Sequence, residues 1–205
     1  KYSTPSWVPS DCSRCSTPVK ERIAARSSTG LIPIPIAAAA AAIGMGINPV
    51  ELLAAVRSFT GVEHRLQSLG THEGVEYFND SIATTQESTI VALESLGPDV
   101  ILICGGSSKG CGFSRLAEVA ADKARHMILT GETATEIETA LLELKENGPA
   151  LTHAPDLAAA LEEAIRLAKP GDRVLLSPAC PSYDQFRNFE ERGRTFCELI
   201  SRRFN

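Results

Sequence analysis

Short, uninterrupted apolar runs constrain this chain more than any other feature. Val100-Ile-Leu-Ile-Cys104, His126-Met-Ile-Leu-Thr130 and Arg173-Val-Leu-Leu-Ser177 lack the polar alternation of a strand with one wet face. Each therefore predicts a strand buried on both sides. Helical periodicity fills the intervals, over residues 86–95, 113–124, 133–145, 156–168 and 186–204, and a short strand is expected near Ala150 to Thr152. Leu66 to Leu69 and Val75 to Phe78 read as two further strands around a turn at Thr71 to Gly74. Asp156 is placed to cap one helix, and Lys169-Pro-Gly-Asp172 to end it. Buried strands spaced by amphipathic helices predict an α/β, Rossmann-like, mostly parallel sheet with helices on both faces.

The region before residue 63 reads differently. Residues 1–30 are rich in Ser, Pro and Arg without periodicity and read as irregular or disordered. Residues 31–62 read as a helical pair. The Ala-rich stretch from Ile36 favours helix, Gly46-Ile-Asn-Pro49 stops and restarts it, and Leu52, Leu53, Val56 and Phe59 share one face of the second helix. Gly61-Val-Glu-His-Arg65 is the linker into residues 63–205. A chain that opens on Lys1 has the look of a fragment or a trimmed form.

Net charge is −5 with no Lys/Arg run, which argues against nucleic acid as the main partner. No apolar stretch approaches the roughly 20 residues of a membrane span, and no signal peptide is evident, so a cytoplasmic protein without membrane contact is expected. Cys12-Ser-Arg-Cys15 has no second pair or His cluster behind it, which disfavours zinc. Reduced, mostly buried thiols are the expectation for the six Cys.

Three polar segments each follow a predicted strand and precede a predicted helix: Tyr77 to Thr85, Cys104 to Gly110 and Ser177 to Gly193. In an open α/β sheet the carboxyl ends of parallel strands share one edge, where ligands bind. The carboxylate of Asp80 suits ribose hydroxyls or a nearby metal, while an Asx-turn or helix cap explains Asn79-Asp80-Ser81 equally. Gly105-Gly-Ser-Ser-Lys-Gly110 offers close backbone approach, exposed N–H groups and Lys109 for an anion, or is a plain strand-to-helix turn. It matches neither GxxxxGK[ST] nor GxGxxG. Ser182 is placed where a helix begins, so its hydroxyl and the helix N–H groups suit a carboxylate. A nucleophilic Ser182 or Cys180 lacks the surrounding G-x-S-x-G elbow. Tyr183, Phe186 and Phe189 at helical spacing read as core contacts. Arg65, beside His64 in the linker, is either solvated or aimed at phosphate. His126, at a strand start, reads as structural.

Taken together, Glu63-His-Arg65, Asn79-Asp-Ser-x-Ala-Thr84, Gly105-Gly-x-x-Lys109 and Ser177-Pro-Ala-Cys-x-Ser-x-Asp-Gln-Phe-x-Asn-Phe-Glu-x-Arg-Gly193 resemble the Mur ligases, in particular their D-glutamate-adding branch. The resemblance runs from about Ala37 to Asn205. It implies that residues 63–205 are the C-terminal domain of such a ligase and residues 31–62 the helical tail of its central, ATP-binding domain. It implies ATP-dependent joining of D-glutamate to UDP-N-acetylmuramoyl-L-alanine through an acyl phosphate, with ATP and Mg²⁺ as cofactors and a monomer as the working unit. Arg65 and Asp80 would contact nucleotide. Lys109 and Ser182 would hold the D-glutamate side-chain carboxylate, with Thr84 nearby and Tyr183 and Phe189 lining the pocket. No protein ligand to the metal and no certain catalytic residue is implied within this segment.

One position departs from the family pattern, which has Lys where this chain has Ile82. Without a phosphate-cradling loop, the isolated chain is expected to show no ligase turnover. The alternatives are a sister Mur ligase, a folylpolyglutamate-type ligase, or a non-catalytic Rossmann-like binding module.

Overall fold

A computed structural model describes residues 33–59, 61–144 and 148–204. The irregular segment expected over residues 1–30, with its Cys12–Cys15 pair, lies outside the described residues. Two helices come first, α1 (Pro33–Gly44) and α2 (Pro49–Ser58). Asn48 caps α2 as its sequence suggests, its Oδ1 accepting from Val50 N at 2.9 Å, with Pro49 opening the helix. The apolar face of α2 finds no core: none of its side chains is buried, and Leu53 and Phe59 are exposed.

The rest of the described residues form an α/β unit of six strands and five helices. In chain order these are β1 (Gln67–His72), β2 (Val75–Asn79), α3 (Gln86–Leu96), β3 (Val100–Cys104), α4 (Ser114–Lys123), β4 (Ala124–Leu129), α5 (Ala134–Leu142), β5 (Ala150–His153), α6 (Leu157–Leu167), β6 (Arg173–Leu176) and α7 (Phe189–Phe204). The sheet order is β1-β2-β6-β3-β4-β5, with β1 antiparallel to β2 and every other pairing parallel. Glu73 and Gly74, at φ 52° and 82°, make the left-handed turn between β1 and β2.

Strand pleating explains the unbroken apolar runs. Val100, Leu102 and Cys104 face one way and pack with α3, α4 and α5 through Leu93, Leu116 and Ile137. Ile101 and Ile103 face the other way, onto α6 and α7 through Leu161, Phe196 and Ile200. Both sides of β3 are fully buried, so neither can be polar. His126 is structural as expected: it is buried and its Nε2 lies 2.8 Å from Thr152 Oγ1 on the neighbouring strand.

The order of strands positions the site. β6 lies between β2 and β3, but the chain leaves β6 for α7 on one face, whereas it leaves β2 and β3 for α3 and α4 on the other. Loops that part to opposite faces open a crevice at the carboxyl edge. The three polar segments are the loops that follow β2, β3 and β6 at that edge.

Candidate functional site

The foot of the three loops is a buried hydrogen-bonded junction. Asn79 makes the Asx-turn, its Oδ1 accepting from Ser81 N at 3.1 Å. Its Nδ2 reaches Gly193 O on α7 at 3.2 Å and His64 Nδ1 at 2.9 Å. Ser81 Oγ donates to Phe189 O at 2.8 Å. Arg192, 4 % exposed, donates from Nε to Ser81 Oγ and from Nη2 to Ser81 O and Cys180 O, each at 3.0 Å. Burial pulls its pKa down to about 10, with the Asp184 charge opposing that fall. One guanidinium thus ties the loop after β2 to the loop after β6.

The loop after β3 joins the same junction through glycine. Gly106, at φ 156°, lies so close to Pro181 O that a side chain there would overlap it. Ser107 N then donates to Pro181 O at 3.0 Å. Four more N–H groups of this loop are also engaged. Gly105 N donates to Pro178 O, Gly106 N to Thr133 Oγ1, Ser108 N to Glu132 Oε2 and Gly110 N to Ser108 Oγ. The expected open nest of N–H donors is therefore not what this loop provides. Most of its amides tie the loop to neighbouring segments, and the Lys109 side chain is what it presents outward: exposed, with no hydrogen bond or ion pair among the described residues.

Asp80 sits deeper than a ligand contact. It is 5 % exposed, Oδ1 accepts from Leu66 N at 3.0 Å, and Oδ2 accepts from Ser177 Oγ at 2.8 Å. Burial raises its pKa to about 6 against the pull of those two donors and of Arg65. Asp80 pins the linker, and Arg65 next in that linker is exposed, without a side-chain bond among the described residues.

Ser182 does not begin a helix. Ser182 O accepts from Gln185 N at 3.1 Å and Phe186 N at 2.7 Å, closing a separate turn, and α7 starts only at Phe189. Asn188 caps it, Oδ1 accepting from Glu191 N at 2.8 Å, and this cap rather than Ser182 sets the helix start. Ser182 is nonetheless only 2 % exposed, and its hydroxyl makes no hydrogen bond among the described residues while keeping some contact with solvent. The N–H groups of Phe189 and Glu190, first in α7, likewise find no acceptor among the described residues. Tyr183, read from spacing as core, is 74 % exposed, because the turn breaks the periodicity that would have buried it. Phe189 is half-buried, as are Thr84 and Ile82 on the loop after β2.

The junction residues His64, Ser81, Ser177 and Arg192 carried no role in the sequence reading. Arg192 and Gly193 stood within the quoted motif, and a charged residue followed by glycine inside an amphipathic helix was the available signal.

Cys104 and Cys180 are buried free thiols, and burial pushes both pKa values up, away from nucleophilic use. Among the described residues no three His, Cys, Asp or Glu side chains converge to hold a cation. These residues do not fit a Mg²⁺ cage of their own. No helix among the described residues is long and apolar enough to cross a membrane.

Comparison with known proteins places this geometry. The chain is 46% identical over 152 residues to UDP-N-acetylmuramoylalanine–D-glutamate ligase of Symbiobacterium thermophilum, covering 72% of this chain and 33% of that protein. The ligase of the same name from Pseudomonas savastanoi pv. phaseolicola is 44% identical over 169 residues, covering 80% of this chain and 37% of that one. The chain thus spans about a third of the length of these relatives. Among solved structures, UDP-N-acetylmuramate-alanine ligase from Thermotoga maritima shares the fold at a TM-score of 0.60 and 16% identity, over 82% of this chain and 37% of that one. A pseudomurein peptide ligase type C from Methanothermus fervidus does so at 0.58 and 16%, over 82% and 34%. The Mur ligase, glutamate ligase domain model matches residues 64–180, more than half of the chain, and the chain belongs to that family.

Proposed function

We propose that this chain is the amino-acid-binding part of a ligase that joins D-glutamate to UDP-N-acetylmuramoyl-L-alanine with ATP. Residues 63–205 form the C-terminal domain of that enzyme, and residues 31–62 are the tail of its central domain. The unburied apolar face of α2 supports the second assignment, because a helix of that composition normally packs against a core. The enzyme works as a cytoplasmic monomer in this reading, where ATP and the UDP-sugar are at hand. Both loops that hold the amino acid come from one chain.

The observation that carries the reading is a pair of unpartnered polar groups on two loops fixed to one another. The Lys109 ammonium and the hydroxyl of the buried residue Ser182 lie on the loops tied by Ser107 N and Pro181 O. A cation on one loop and a free hydroxyl on the other can hold a carboxylate by charge-assisted hydrogen bonds. The N–H groups opening α7 favour the same charge. Thr84, Tyr183 and Phe189 border the pocket. Arg65 offers a planar fork for nucleotide phosphate or ribose. Asp80 serves the nucleotide side by fixing the Arg65 linker, since both its oxygens already accept protein donors.

ATP, when bound, supplies the phosphoryl group that activates the alanyl carboxylate. The residues of this chain bind D-glutamate, orient its amine toward that carboxyl carbon and, on closure, exclude water. Charge near the phosphates falls to Arg65, because Ile82 supplies none.

Titration of the ¹⁵N-labelled chain with D-glutamate tests this. Amide shifts are expected at Lys109, Ser182 and Phe189, with L-glutamate, L-alanine and diaminopimelate binding more weakly. Lys109→Ala removes a charge-assisted contact of about 1.5–3 kcal/mol, a loss of roughly tenfold to a hundredfold in affinity. Preference for diaminopimelate or L-alanine would support a sister ligase instead. D-glutamate-dependent ATP consumption by this chain alone would remove the need for a separate phosphate-binding domain.

A further inference from the structure

His64 stands between the two sides of the site. It is 6 % exposed at φ 61°, a left-handed conformation uncommon outside glycine. Its N–H donates to Gln67 Oε1 at 3.1 Å, and its C=O accepts from Ile82 N at 3.1 Å. The imidazole points into α7. It meets the Phe189 ring edge-on, centroids 6.3 Å apart at 83°. It occupies the space that a side chain on Gly193 would need.

The hydrogen bonding fixes the ring's chemical state. Asn79 Oδ1 accepts from Ser81 N and Asn79 Nδ2 donates to Gly193 O, so the Asn79 amide cannot be turned round. Nδ2 cannot accept, and of its neighbours His64 Nδ1 at 2.9 Å is nearer than Gln67 Oε1 and Cys197 Sγ at 3.3 Å, so Nδ1 accepts from it, which leaves the proton on Nε2 and the ring neutral. Burial also lowers the His64 pKa, with Glu63 and Glu190 opposing and Arg194 assisting. A neutral ring held by an acceptor contact and packed against Gly193 and Phe189 cannot rotate independently of that helix.

We propose that His64 is a positioning residue that couples the start of α7, where D-glutamate binds, to the linker that carries Arg65, where nucleotide binds. The proposal rests on the functional reading above. D-glutamate settling on Ser182 and the first N–H groups of α7 moves Phe189 against the imidazole. The imidazole passes that movement to the 64–66 turn and to Ile82. Occupancy of the amino-acid pocket thereby sets the aim of Arg65.

The same amide-shift titration tests it, with D-glutamate as the probe. In the unmodified chain, shifts are expected at Lys109, Ser182 and Phe189 and also at Arg65, Leu66 and Ile82. His64→Ala should lose the second group and keep the first. His64→Asn, whose Oδ1 can accept from Asn79 Nδ2 in place of Nδ1, should restore part of the second group, and it carries the test if the alanine variant fails to fold. Linker shifts equal in the unmodified chain and in the variants would overturn the coupling. So would a linker that stays silent while Lys109 and Ser182 respond, and that result would leave the D-glutamate reading standing. Silence at Lys109, Ser182 and Phe189 would overturn both.

Discussion

The buried junction beneath the three loops and the exposed rim above it come from the same short motifs, yet the two are under different physical control. In the junction, Asn79, Asp80, Ser81, Ser177 and Arg192 are each less than a tenth exposed, and each makes hydrogen bonds that cross between elements. Such groups are costly to desolvate and must be satisfied internally, so each one fixes its neighbours. At the rim, Arg65, Lys109 and Tyr183 are exposed and carry no side-chain bond among the described residues. What binds a ligand must be left unpaired by the fold, and what aims it must be fully paired. A motif residue therefore signals a site without saying on which of these two sides it works.

Gly193→Ala should separate the two regions most strongly. The added methyl overlaps the His64 imidazole. Overpacking outweighs the gain in helix propensity, for a net loss of about 2 kcal/mol and a fall in melting temperature of roughly 4–8 °C. Combining it with His64→Ala should lose less than the sum of the single changes, because the clash partner is gone. Additive losses in thermal melts would show that the imidazole does not fill that space.

Asp80→Asn should give an effect of comparable size whose magnitude depends on pH. Asp80 keeps its proton to about 6 in the fold, against an ordinary 3.8. The folded chain therefore binds that proton more tightly than the unfolded chain does. The resulting stability is full below about pH 4 and is lost as pH rises through about 6. Relative to Asp80, the asparagine variant should gain stability between pH 4 and pH 8, by up to about 3 kcal/mol. A difference between the two chains that stays flat in denaturant unfolding across that range would show that the carboxyl is not desolvated.

The smallest effect is expected at the rim. Tyr183→Ala should change stability by no more than about 0.5 kcal/mol, because the ring covers little of the core. A loss of 2 kcal/mol or more would move Tyr183 from the rim to the junction and close the gap between the two regions.

Much of the fold was legible in the chain. The runs at Val100 and Arg173 have no polar face, and only a doubly covered strand accepts that pattern. Asn48-Pro49 and Asp156 act through their own backbone neighbours and were readable for the same reason. Ser182 and Tyr183 were misplaced, because the apolar spacing of Tyr183, Phe186 and Phe189 continues across a turn, and α7 begins only where Asn188 can cap it. The Gly105–Gly110 loop was legible as a close-approach loop. That its amides are spent on Pro178, Thr133, Pro181 and Glu132 was not, since those partners lie far away in sequence.

By itself the sequence determined which segments are strands, which loops follow them and which residue types those loops offer, because periodicity, capping and turn chemistry are local. Only the tertiary structure decided that β6 inserts between β2 and β3, that Asp80 faces inward while Lys109 faces outward, and that His64 needs the glycine at position 193. Those outcomes depend on burial and on hydrogen-bond partners brought together across the sheet, which exist only once distant parts of the chain are packed.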